Sequence, residues 1–168
     1  MSTHVDVSDV ERVLAAYTSL GDSGRVEDLA ALFGHDGTLE VAGLALEGPA
    51  AIAGFLRTMG REMAGAGGLL PGYHLVGRRR VEVHGPAAAI SSSTFVFMAP
   101  GGPDHWGTYR DDLTRDEDGW RFVKRSVGFD GFTDSSTARS IVDGVRARAR
   151  DDRGRRDGPS SADPVRRR

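Results

Sequence analysis

Between residues 73 and 129 the chain reads as four long extended segments, and the connections between them are too short to allow a crossover. The first, 73–84, turns at Gly85-Pro86. The second, 88–98, turns at Ala99-Pro-Gly-Gly-Pro. The third, 105–115, turns at Asp116-Glu-Asp-Gly, and 120–129 is the fourth. Clusters of Gly, Pro and Asp reverse a strand locally. Parallel neighbours need connections of a dozen or more residues, so these four strands are expected to form an antiparallel meander.

The first 72 residues follow a different period. Val10, Val13, Leu14 and Tyr17 share one helical face, and Ser8 with Glu11 has the spacing of a capping box. Gly21 ends this helix, and a second short one is expected over 25–33. Two short strands follow over 38–47, turning near Gly43, while Gly34-His-Asp-Gly37 reads as a turn. Gly48-Pro49 opens a third helix, with Ile52, Phe55, Leu56, Met59 and Met63 as its apolar stripe. Residues 64–72 read as a loop. Helices packed on one side of a bent antiparallel sheet give an α+β layer fold with a pocket between the layers. His74 and Val76 have opposite strand parity to Val81 and Val83, so a one-residue bulge is expected near Gly77.

Charge divides the chain. Residues 1–138 carry 12 basic and 19 acidic side chains, whereas 139–168 carry ten Arg and five Asp. The expected organisation is an N-terminal arm over 1–6, the α+β domain over 7–132, a weak helix over 133–150 and a disordered Arg-rich tail over 151–168. With no Cys, disulfide scaffolds, zinc-thiolate sites and thiol nucleophiles are excluded. No apolar run approaches the roughly 18 residues of a membrane span, and the first residues lack signal-peptide character, so a cytoplasmic protein is expected. The Arg, Ala and Gly usage suggests a GC-rich, bacterial genome. No phosphate-binding loop and no metal-ligand spacing appears, so neither cofactor nor metal is expected. The Arg78-Arg-Arg80 run lacks interleaved aromatics and reads as a solvated face or subunit contact, without nucleic acid or membrane as a partner.

Several segments together resemble the SnoaL-like family of the nuclear transport factor 2-like superfamily. They are Tyr17-Thr-Ser-Leu-Gly-Asp-Ser-Gly-Arg-Val-Glu-Asp-Leu-Ala-Ala-Leu-Phe33, Gly48-Pro-Ala-Ala-Ile52, Tyr109-x-Asp-x-Leu-x-Arg115, and Gly119-Trp-Arg-Phe122 with Arg125. The resemblance spans residues 7–131. It implies a cone of curved sheet and three helices around a deep pocket, and pairing of subunits through the sheet as a dimer or trimer. That fold hosts enzymes, binding proteins and oligomerisation modules. Asp22 and His74 fall where scytalone dehydratase and hexachlorocyclohexane dehydrochlorinase carry an Asp–His pair. The resemblance thus implies a dyad with His74 as general base. The Arg-x-Asp pair of the epoxide-hydrolase type is replaced by Ser91-Ser-Ser-Thr-Phe95, which argues against epoxide opening. The second His that scytalone dehydratase has on its later strands has no counterpart over 88–98.

The dyad chemistry is physically sensible. Histidine is a competent base near neutrality, and an Asp on its other nitrogen fixes the tautomer. Asp22 could instead only cap the second helix, and His74 could be a strand-end His satisfied by backbone. Tyr17, Phe55, Met59 and Thr94 are expected to line the pocket; of the two alternating sets on the third long strand, the resemblance to scytalone dehydratase implies that Thr108 and Arg110 face inward. An inward Arg110 would hold a carboxylate or enolate oxygen; otherwise it pairs with a neighbouring Asp. His4, His35, His84 and His105 read as solvated, and Trp120 and Phe122 as core. The leading expectation is a cofactor-independent dehydratase, cyclase or isomerase, and the resemblance implies a hydrophobic oxygenated small molecule as its substrate, as in polyketide metabolism. The alternatives are a binding or accessory protein and a pure oligomerisation module.

Overall fold

The computed structural model describes residues 3–156 except 68, 86 and 87. Its elements are α1 (Thr3–Asp22), α2 (Val26–Ala30), β1 (Phe33–Val41), β2 (Leu44–Glu47), α3 (Gly48–Ala66), β3 (Tyr73–His84), β4 (Ala88–Ala99), β5 (Gly102–Asp116), β6 (Gly119–Phe132) and α4 (Ala138–Arg156). The six strands form one curved, unclosed sheet in the order β2-β1-β6-β5-β4-β3. Strands β3 to β6 are the expected meander. The β1–β6 pair is parallel, because the α3 crossover returns the chain to the far edge and the meander then walks back to β1.

Several boundaries differ from the sequence reading. Ser8 and Glu11 lie within α1, which starts at Thr3, so they are not a terminal capping box. The helix also takes in part of the stretch expected as an arm. The second helix is one turn, ending at Ala30. Phe33 already belongs to β1, and so does Gly34-His-Asp-Gly37. A Cβ on Gly37 would stand 2.7 Å from the Phe122 carbonyl oxygen, so this stretch is strand backbone lying close against β6 rather than a free turn. The β1–β2 reversal sits at Ala42-Gly43, both at positive φ (52° and 87°), as a tight hairpin demands. Helix α4 continues to Arg156, beyond the expected end, and the rest of the expected tail, 157–168, lies outside the described residues.

The core fills the concave side of the sheet. Val10, Leu14, Leu39, Ile52 and Phe122 are fully or almost fully buried there, with Trp120 beside them. Helix α4 turns Val142, Val145 and Ala149 inward. It is tied down by Arg148 to Glu62 (3.0 Å) and by Arg153 Nη1 to the Gly43 carbonyl (3.3 Å). The bulge lies between Gly77 and Arg80, with Arg78 at φ 30°. Among the described residues, no helix is long and apolar enough to cross a membrane.

Candidate functional site

Asp22 is the last residue of α1, and His74 is the second residue of β3. The helix end and the strand start meet, and one carboxylate bridges them. Its Oδ1 lies 2.6 Å from His74 Nδ1, and its Oδ2 accepts the His74 backbone N–H at 3.0 Å. The backbone bond fixes the carboxylate, and the carboxylate then orients the ring. With Nδ1–H donated to Asp22, Nε2 keeps its lone pair. The ring packs edge-on against Phe95 and Phe97, with centroids at 5.6 and 5.0 Å.

Both dyad residues line an apolar cavity of about 280 Å³ between α1, α3, α4 and the concave sheet. Phe55 and Met59 of α3 form one wall, and Phe95 and Phe97 of β4 another. Ala138, Ile141 and Val142 of α4 wall it as well. Tyr17 and Tyr109 also line it, with centroids 6.1 Å apart. Burial raises both phenol pKa values, so each ring remains a neutral hydrogen-bond donor at neutral pH.

Beneath these rings lies a buried ion pair. Arg125 Nε and Nη2 donate to the two Asp111 oxygens at 2.7 and 3.0 Å. The guanidinium carbon stands 4.0 Å from the Tyr17 centroid, 4.4 Å from Tyr109 and 4.6 Å from Phe122. Burial pushes the Asp111 carboxyl upward, against the opposing pull of Arg125.

Of the residues expected in the pocket, Tyr17, Phe55 and Met59 line it, as do Asp22 and His74. Thr94, Thr108 and Arg110 do not. Side chains alternate along a strand, and β4 buries Ser93, Phe95 and Phe97 while β5 buries Tyr109, Asp111 and Leu113. That parity puts the other set on the outer face. There Thr94 pairs with Thr108, Thr108 Oγ1 donates to Asp130 at 2.8 Å, and Arg110 lines a groove with Arg80 and Lys124. The arginine that pairs with an Asp of β5 is Arg125, not Arg110.

His105 was expected in solvent but is buried and lines the cavity. Its Nδ1 lies 2.8 Å from Asp104 Oδ2, which also accepts the Ser136 hydroxyl at 2.7 Å. Burial lowers the His105 pKa against the pull of Asp104, and His74 adds to the lowering. The strand begins at Gly102 rather than 105, which carries this histidine from a strand end into the sheet. Among the described residues, no group of three or more His, Asp or Glu could hold a metal ion.

A six-stranded bent sheet clasping helices around an apolar cavity, with polar groups gathered at one wall, defines the nuclear transport factor 2-like class. Residues 3–126 match the SnoaL-like domain, and the chain belongs to that family. Solved structures agree on the fold. An Asp-to-Asn variant of Rv3472, a protein of unknown function from Mycobacterium tuberculosis, superposes with a TM-score of 0.72 at 22% identity, covering 88% of this chain and 95% of that one. An NTF2-like protein with a cystatin-like fold from Novosphingobium aromaticivorans gives 0.64 at 28% identity, covering 82% and 88%. A candidate scytalone dehydratase from the same organism gives 0.66 at 20% identity, covering 77% and 87%. No curated protein matches the sequence.

Proposed function

We propose that the protein is a cofactor-independent acid/base enzyme acting on a hydrophobic, oxygenated small molecule. One observation carries the reading: Asp22 and His74 are hydrogen-bonded at 2.6 Å and both face a single apolar cavity. Asp22 does not cap α2, whose N-cap is Arg25, and it holds the His74 ring as well as the His74 backbone N–H. His74 Nε2 takes a proton from carbon beside a carbonyl, and Asp22 stabilises the imidazolium that forms. Tyr17 and Tyr109 offer neutral phenols to the carbonyl oxygen as it gains charge. Loss of a leaving group, ring closure or reprotonation at another carbon then gives dehydration, cyclisation or isomerisation. The likeness to a candidate scytalone dehydratase supports this reaction class.

The substrate need not be known to test the first step. In D2O, 2-tetralone should exchange the hydrogens beside its carbonyl faster with the protein than in buffer, as followed by NMR. His74→Ala should remove the acceleration, since positioned acid–base catalysis is worth about 10²–10⁴-fold. Exchange no faster than buffer, or unchanged in His74→Ala, would overturn the enzymatic reading and favour a binding protein with the same cavity.

A further inference from the structure

The dyad faces two spaces. Besides the apolar cavity, Asp22 and His74 line an outer groove of about 560 Å³ between α1 and β3, completed by Ala15, Thr18, Ser19, Ser23, Val76 and Arg79. This groove is open and carries hydroxyls and a guanidinium, whereas the inner cavity is walled by Phe, Met and Leu. Between Gly77 and Arg80 two residues of β3 oppose only Ser93 of β4, so the strand carries one extra residue. In regular alternation without a bulge, Arg79 would have the outward parity of Leu75. With it, Arg79 shares the inward parity of Val81 and Val83, which pack on the core. The extra residue is Arg78, held at φ 30°, a backbone region that side chains other than glycine rarely adopt. Local strain is thus accepted at the point that brings Arg79 to the dyad's side.

Arg79 is exposed and makes no direct hydrogen bond or ion pair among the described residues; its charge acts from a distance on the buried Asp111 carboxylate, whose two oxygens are held by Arg125. Its neighbour Arg80 is held on the opposite face by Glu82 at 2.5 Å. The negative group in the groove is Asp22, and both its oxygens are occupied by His74. Arg79 therefore offers a free planar donor set at the groove, on the solvent side of the dyad.

We propose that Arg79 binds a carboxylate of the substrate, and that the substrate class is an amphiphilic acid whose apolar body fills the inner cavity while its acid group lies in the outer groove. This places the reacting carbon between the two ends, at His74, and it rests on the dyad reading for that placement alone. The hydroxyls of Thr18, Ser19 and Ser23 give the mouth a polar lining beside the acid.

The test is a binding measurement, independent of turnover. Naphthylacetic, naphthylpropanoic and naphthylbutanoic acids are titrated beside their methyl esters by calorimetry at neutral pH. At least one acid should bind about tenfold more tightly than its ester, and added salt should weaken that preference. Arg79→Gln should reduce the acid to the affinity of its ester and leave the ester unchanged, whereas Arg80→Gln should preserve the preference. In His74→Asn, whose amide can still donate to Asp22, the preference should persist while 2-tetralone exchange is lost, which separates failure of the carboxylate site from failure of the dyad. No preference for any acid in the wild type, including no binding at all, or a preference that survives Arg79→Gln, would overturn the proposal.

Discussion

Replacing Arg125 by Met tests what holds the tyrosine wall of the cavity in place. The guanidinium and the Asp111 carboxylate are almost wholly buried, with side-chain exposures of 2% and 0%. Met fills similar space among Tyr17, Tyr109 and Phe122 but leaves Asp111 buried without a partner. Breaking such a pair costs about 3–5 kcal/mol. Loss of the ring contacts acts in the same direction. At about 2–4 °C per kcal/mol for a chain of this size, the melting temperature should fall by roughly 6–20 °C. The sign of the pH effect also follows. An unpaired buried carboxyl has its folded pKa raised, so the folded variant holds a proton that the unfolded chain has released. The variant therefore loses stability as pH rises, and its gap from the wild type should widen between pH 5 and pH 8. The double variant with Asp111→Leu should recover most of the loss, because apolar replacement of a whole buried pair is often neutral or better. Calorimetric melting at several pH values reads all three effects. A loss below about 1 kcal/mol in Arg125→Met, or a double variant no more stable than the single, would refute the argument that the pair's breakage dominates.

Two further outcomes follow from packing and burial. Gly107→Ala would place a Cβ 1.9 Å from the Gly128 carbonyl oxygen and 2.9 Å from the Phe95 ring, so urea unfolding should show a loss of about 1–3 kcal/mol. A loss within error would mean that β5 and β6 separate freely at this point. Burial lowers the His105 pKa, so the unfolded chain takes up this proton first as pH falls below about 6.5, and stability falls with it. His105→Phe should flatten that part of the stability profile, measured between pH 7.5 and 5.5; an unchanged slope would place the acid sensitivity elsewhere.

The meander was legible because its turns are spelled in Gly, Pro and Asp, and its strands are long enough for alternation to show. The bulge was legible because His74 and Val81 could not otherwise face the same core. The meeting of Asp22 with His74 came from comparison with relatives, since no local rule joins residues 52 positions apart. The inward set on β5 was recoverable and was missed. Tyr109 and Leu113 bracket Asp111 at strand spacing, and two large apolar neighbours outweigh the preference of a charged residue for water. Arg125 was the signal that such a buried Asp had a partner. His105 was harder to place. Gly102-Pro-Asp reads as turn chemistry, and only pairing with β4 and β6 draws it into the strand. The β1 boundaries failed for a related reason: Gly34 and Gly37 allow close backbone approach to β6, which looks the same in sequence as a turn.

The two histidines of the cavity are built alike and placed differently, and that difference assigns their proposed roles. Each has its Nδ1 beside an Asp carboxylate, at 2.6 Å for His74 and 2.8 Å for His105. A base that takes a proton in every turnover must later pass it on. His74 lines the open groove as well as the cavity, and its side chain is 25% exposed, so it has a path to solvent or to a departing group. The His105 side chain is 7% exposed, stacked on Phe97 at 5.0 Å, and biased by burial towards its neutral form. A proton placed there would be costly to hold and slow to leave. His105 therefore suits a fixed contact to a polar atom of the substrate, and His74 suits the moving proton. In the proposed reaction the tyrosines would complete a division of labour along one cavity: neutral donors at the buried wall, and the group that changes charge at the mouth, where water can restore it.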